Sequence, residues 1–256
     1  MLHFFEKGQG PTLLFLHGFC ETGEMWRHLA DSLSTQYRVL CPDLPGFGSS
    51  PITHPITCLE DVAEQLEEWM DALQIQHPIV LGHSLGGYVA LALLERMGDR
   101  IQAIGLLHST AYPDDLEKKE MRNRVLIFLN KHGAAKFVSS FVPQLFPEHR
   151  RDELADAMAH AIEDGQRSSL EGLQAYTVAM RDRQDRITIL QQFAGPKLLL
   201  AGTLDGAVKI ESSRAQQKAF THYIELEGVG HLGMIEEKEK TLAVVEDFVR
   251  EVLSSS

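Results

Sequence analysis

The stretch His77-Pro78-Ile79-Val80-Leu81-Gly82-His83-Ser84-Leu85-Gly86-Gly87 decides the fold. A short apolar run, Ile79–Leu81, ends at a glycine. After Gly86-Gly87 a compact apolar pattern, Tyr88–Leu94, begins. The first run reads as a buried strand and the second as a helix. Ser84 therefore sits where a strand turns into a helix within a few residues. Gly82 and Gly86 remove the β-carbons that would collide there. A G-x-S-x-G turn in this setting holds the hydroxyl clear of the backbone and aims helix N-terminal amides at it. The pattern predicts a nucleophilic Ser84. The alternative is a glycine-rich packing turn with a spectator serine.

Working outward, apolar runs at 12–18, 37–46, 101–110, 195–205 and 221–231 read as further strands. Helical patterns lie between them, such as Leu59, Val62, Leu66 and Trp69-Met70, and 241–253 closes the chain. This alternation predicts an α/β fold with a mostly parallel sheet. From 113 to 190 no clean strand is present. Apolar stripes there (Val125, Phe128, Leu129, then Phe137, Phe141, Leu145) predict an inserted helical cap. The expected organisation is a core of 1–112 and 191–256, with a cap subdomain of 113–190.

A length of 256 residues suits one sizeable core. The formal charge of −12 disfavours non-specific nucleic-acid binding, which needs a positive footprint. No apolar run is long enough to span a membrane, and the start shows no signal-peptide pattern. Cys20, Cys41 and Cys58 fit free thiols better than a disulfide framework, so a cytoplasmic location is expected. No metal-ligand spacing, dinucleotide fingerprint or P-loop is present, and no cofactor or metal is expected. The expected partner is a small-molecule carbonyl substrate. Monomer and homodimer both stay open.

A reactive serine needs a base. Of twelve histidines, His231 is the candidate, in a glycine-flanked loop just before the last helix. The base needs an acid to fix its tautomer. Asp205 follows Lys197–Leu204 at the carboxyl end of a strand, where sites in open α/β sheets lie. Glu225 and Glu227 are the alternatives. The chain order Ser84, Asp205, His231 suits this architecture. An oxyanion hole is expected from the backbone N–H groups of Phe19 and Leu85, with Gly18 letting the chain pass close. His17 is expected to hold that loop or border the pocket. His83 should point away from the serine. His108 either lines the pocket or is structural. Phe128, Phe137 and Phe141 are candidate pocket residues.

Taken together, His17–Phe19, Asp43–Ser50, Gly82–Gly87, Gly202–Asp205 and Gly230-His231 resemble the α/β-hydrolase family, in its serine-nucleophile, esterase-like branch. The resemblance implies a mostly parallel eight-stranded sheet flanked by helices, with an inserted helical cap. It implies Ser84, Asp205 and His231 as the triad, and Phe19 and Leu85 at the oxyanion hole. Gly18, Gly82 and Gly86 would support loop and elbow. Asp205-Gly206-Ala207-Val208-Lys209 departs from relatives that carry a proline soon after the acid. A serine at the elbow separates the chain from dehalogenases and epoxide hydrolases, which carry aspartate there. The leading expectation is a serine hydrolase, a carboxylesterase acting on a small or medium, largely apolar ester through an acyl-enzyme. The alternatives are a carbon–carbon bond hydrolase, a lyase like that of the menaquinone pathway, and a non-catalytic hydrolase-fold binding protein. The lyase would draw on Arg122, Arg124, Arg167, Arg181, Arg183 and Arg186.

Overall fold

A computed structural model describes residues 1–254. Seven strands form one sheet: β1 (Phe4–Lys7), β2 (Thr12–Leu16), β3 (Arg38–Pro42), β4 (Ile79–His83), β5 (Ala103–Leu107), β6 (Lys197–Gly202) and β7 (His222–Leu226). Their order is β1-β3-β2-β4-β5-β6-β7. Every pairing is parallel except β1 with β3. The expected eight strands are corrected to seven among the described residues. The edge beside β3 is closed by β1, with Phe4, Phe5 and Lys7 half-buried and Glu6 exposed, and no described segment pairs with its outer side.

β4, β5 and β6 are buried at every position. That burial explains their continuous apolar sequences, because a parallel sheet is covered on both faces. The helices are α1 (Arg27–Leu33), α2 (Leu59–Ala72), α3 (Leu85–Met97), α4 (Leu116–Phe141), α5 (Ala155–Gly165), α6 (Leu170–Arg181), α7 (Ile187–Gln192), α8 (Ile210–Gln216), α9 (Gly233–Glu236) and α10 (Lys238–Ser254). α2 packs on α3, and α1 packs on α10. α2 starts cleanly because the Asp61 carboxylate accepts from the amides of Thr57 and Cys58.

The chain crosses from β2 to β3 on one side of it, then from β3 back over to β4 on the other side of β2. Such a reversal opens a crevice at the carboxyl ends of the strands. The loop after β2 and the turn after β4 both face it.

Between β5 and β6 the described structure holds helices α4 to α7 and no strand. α4 is broken at Gly133 (φ 78°, ψ 174°), so its apolar stripe changes face midway. Leu129, Val138 and Leu173 are fully buried, each contributing roughly 1.5–3 kcal/mol to docking these helices. The insertion is also tied by polar contacts. Ser169 N donates to Gly46 O (2.8 Å), and Thr22 Oγ1 donates to Asp164 Oδ1 (2.7 Å). The Phe47 and Tyr176 rings meet at 4.9 Å.

Candidate active site

Ser84 occupies the turn between β4 and α3 with φ 48° and ψ −114°. This conformation costs a non-glycine residue roughly 1–3 kcal/mol and persists only where its surroundings enforce it. Here Ser84 N donates to Leu107 O (3.0 Å), and Ser109 Oγ donates to Ser84 O (2.7 Å). A β-carbon on Gly86 would lie 2.2 Å from Leu16 O, and one on Gly82 would lie 2.3 Å from Gly86 O. The two glycines thus let α3 press against β2 and the turn close. Ser84 stays partly exposed while Gly82, His83 and Leu85 are buried. Leu85 opens α3, so its N–H has no carbonyl one turn back within the helix.

His231 Nδ1 donates to Asp205 Oδ2 at 2.8 Å, with both residues almost fully buried. A carboxylate only accepts, so the bond places the His231 proton on Nδ1 and leaves Nε2 as the free base. Asp205 Oδ1 accepts from the amides of Ala207 and Val208, each 2.8 Å away. This turn fixes the carboxylate with no proline in 206–209. Burial would raise the Asp205 pKa, but His231 and His108 outweigh it and hold the carboxyl far below its ordinary range. Glu225 does not approach His231; it pairs with Arg214 (2.7 Å) and Tyr223. Glu227 is exposed.

The loop carrying His231 is braced by Glu236, which the sequence reading missed. Its carboxylate accepts from Gly230 N (2.8 Å) and Leu232 N (3.1 Å), the amides on either side of His231. His231 N itself donates to Leu145 O, in the insertion, at 3.0 Å.

Glu21 was missed as well. Its Oε2 accepts from Gly18 N (2.5 Å) and from His83 Nδ1 (2.9 Å). His83 indeed points away from Ser84, and its Nε2 lies 2.9 Å from His231 O. The available signal was an acid directly after the otherwise acid-free run Leu13–Cys20.

The pocket candidates divide. His17 is fully buried: Nδ1 donates to Gly18 O and Nε2 accepts from Leu44 N, each at 2.8 Å. Burial lowers its pKa, so it stays neutral and holds the loop. His108 is buried in left-handed backbone, φ 50°, and packed against Gly233, as its structural alternative would have it. Its Nδ1 is 3.6 Å from Asp205 Oδ2, beyond hydrogen-bond range. Phe137 and Phe141 stack on each other at 5.2 Å and reach the Phe19 ring edge-on at about 6 Å. Phe128 touches Phe137 from farther out, at 6.1 Å. An apolar flank therefore covers the loop that carries Phe19. A cavity of about 620 Å³ is lined by Cys20, Glu21, Leu145, Asp164 and Leu232 among others, and by neither Ser84 nor His231. None of the five pocket candidates lines it. Among the described residues no cluster could hold a metal ion, and no helix is long and apolar enough to cross a membrane.

A family profile for the alpha/beta hydrolase fold matches residues 11–238. The chain belongs to that family. It is 28% identical over 252 residues to a pimeloyl-[acyl-carrier protein] methyl ester esterase of Aeromonas hydrophila, covering 94% of this chain and 96% of that one. It is 26% identical over 248 residues to 3-oxoadipate enol-lactonase 1 of Acinetobacter baylyi, covering 94% and 90%. A thermophilic esterase from Thermogutta terrifontis superposes with a TM-score of 0.92 at 27% identity, covering 98% of this chain and 93% of that one. These relatives support an enzyme of the α/β-hydrolase class with ester-hydrolase activity.

Proposed function

We propose that this chain is a serine hydrolase that cleaves a carboxylic ester of a small or medium, largely apolar substrate through an acyl-enzyme. The observation that carries the reading is the strained Ser84 turn, tied through the neighbouring His83 Nε2 to His231 O (2.9 Å), with His231 and Asp205 bonded at 2.8 Å. A packing turn has no need of a strained, partly exposed serine, and a binding module has no need of a buried base held in one tautomer.

In the proposed course, Ser84 Oγ attacks the ester carbonyl and His231 Nε2 takes the hydroxyl proton. The carbonyl oxygen becomes an oxyanion, and the N–H groups of Phe19 and Leu85 stabilise it. Each such donor typically lowers the barrier by about 3 kcal/mol. His231 then gives its proton to the departing alkoxide, leaving an acyl-Ser84 ester. Water, deprotonated by His231, releases the acid and restores the serine. Asp205 holds the ring and supports the transient imidazolium.

The aromatic flank of Phe19, Phe137 and Phe141 favours an apolar acyl group. The relatives named as a methyl ester esterase and an enol-lactonase both act on ester linkages, which favours the ester over a carbon–carbon bond. The lyase reading would need free cations for substrate carboxylates. Arg122 and Arg183 instead bind Asp114, and Arg186 binds Glu60 and Glu95. Arg124, Arg167 and Arg181 pair with Glu120, Asp164 and Asp182.

The test is a panel of short and medium p-nitrophenyl esters, a methyl ester, a lactone, a thioester, a proline amide and a dienone acid. Esters and the lactone should be turned over fastest. Preference for the amide or the dienone, with esters barely touched, would displace this reading.

A further inference from the structure

Three segments meet at one buried pair of charges. Gly18, just before Phe19, binds Glu21 Oε2 at 2.5 Å. His83, just before Ser84, binds the same oxygen through Nδ1 at 2.9 Å. The other nitrogen of that ring reaches the carbonyl of His231 at 2.9 Å. Building on the hydrolase reading, we propose that Glu21 and His83 act as a positioning pair, fixing the Phe19 loop and the His231 loop against the serine turn at once.

The chemistry of the contacts defines the state of the pair. A carbonyl oxygen only accepts, and Glu21 Oε2 already accepts from Gly18. His83 Nε2 therefore donates to His231 O, and with Glu21 ionised Nδ1 donates as well, which makes the ring an imidazolium. The environment agrees. Burial works against charge on both groups, but each partner draws the other the opposite way, so His83 is shifted up and Glu21 down. The His83 ring also faces His231 at 4.8 Å and His108 at 6.0 Å, with Asp205 beyond.

The pair is a poor device for stability. His83 is fully buried, Glu21 is 7% exposed, and Glu21 Oε1 is buried with no partner. A buried ion pair must overcome the desolvation of both charges, and apolar or neutral replacements often match its stability. Geometry explains its presence better. Asp205 fixes the His231 ring from one side, and His83 fixes the backbone beneath it.

The wild-type protein supplies the first test. Nitrogen-15 NMR of histidine-labelled chain at pH 7 should show both His83 ring nitrogens protonated. One bare nitrogen would overturn the proposal. The second test compares Glu21→Gln, His83→Gln and the double variant, with rates normalised to serine titrated by a fluorophosphonate. Each should lower kcat roughly 10–100-fold, the loss of a charge-assisted bond, with KM within about threefold. The double variant should be no worse than the singles and melt near the wild type. A kcat within about threefold of wild type per titrated serine, or losses that multiply in the double variant, would overturn it. Wild-type chain with no serine adduct and no ester turnover would instead fail the hydrolase reading, which separates the two.

Discussion

The backbone N–H of His231 donates to the carbonyl of Leu145, 3.0 Å away, so the loop bearing the proposed base is fastened to the inserted helices. Arg150 reinforces this join, reaching Glu237 Oε1 at 3.2 Å and lying 3.9 Å from Glu236 Oε2. Arg150→Ala removes that support from a partly exposed site, so its stability cost should stay within about 1 kcal/mol. Its effect should fall on catalysis, lowering kcat for p-nitrophenyl butyrate roughly three- to tenfold through a looser base. Steady-state kinetics beside a melting curve separate the two.

Glu236 is expected to matter more for folding. Glu236→Ala leaves the amides of Gly230 and Leu232 buried without acceptors. Each orphaned group costs about 1–3 kcal/mol, so a loss of about 2–4 kcal/mol should appear in urea unfolding. Glu236→Gln keeps one oxygen acceptor and should lose less.

Asp205 links stability to pH. Its folded pKa is depressed far below the unfolded value, so the charged form stabilises the fold above about pH 4. That contribution is lost as pH falls from there toward the folded pKa. The destabilisation caused by Asp205→Asn should be large at pH 7 and shrink as pH drops from 4 to 2, measured by urea midpoints. At pH 7 the same variant should lose about 10³–10⁴ in kcat, because Asn can favour the wrong tautomer of His231.

The turn is expected to admit no side chain at position 86. A methyl on Gly86 would lie 2.2 Å from the Leu16 carbonyl, which belongs to a central strand and cannot retreat. Gly86→Ala should cost about 3 kcal/mol or more, seen as a lowered melting temperature or insoluble protein.

What could be read in the sequence follows from the range of the forces involved. The serine turn was legible because its steric demands fall on Gly82, Ser84 and Gly86, within five residues. β2 to β6 were legible because near-complete burial leaves apolar runs, whereas β7, mostly half-buried, was read from the short stretch His222–Leu226 before the Gly228 turn. β1 was not, since Phe4–Lys7 is only four residues long, two apolar followed by two charged, and none of them is fully buried. Glu21 and Glu236 were not, because their roles exist only across the fold. Glu21 meets His83 62 residues away, and the amides Glu236 serves lie in a loop shaped by the insertion. His108 could not be assigned between pocket and structural roles, because its left-handed backbone and its place 3.6 Å from Asp205 Oδ2 exist only in the fold.

The central claim is a covalent acyl-Ser84, and acid-quenched mass spectrometry during p-nitrophenyl acetate hydrolysis measures it directly. The acyl-enzyme scheme predicts one acetyl group on the peptide containing Ser84, a burst of about one p-nitrophenol per chain, and neither in Ser84→Ala. Wild-type turnover by Ser84→Ala, or an acetyl group carried by another residue, would contradict it.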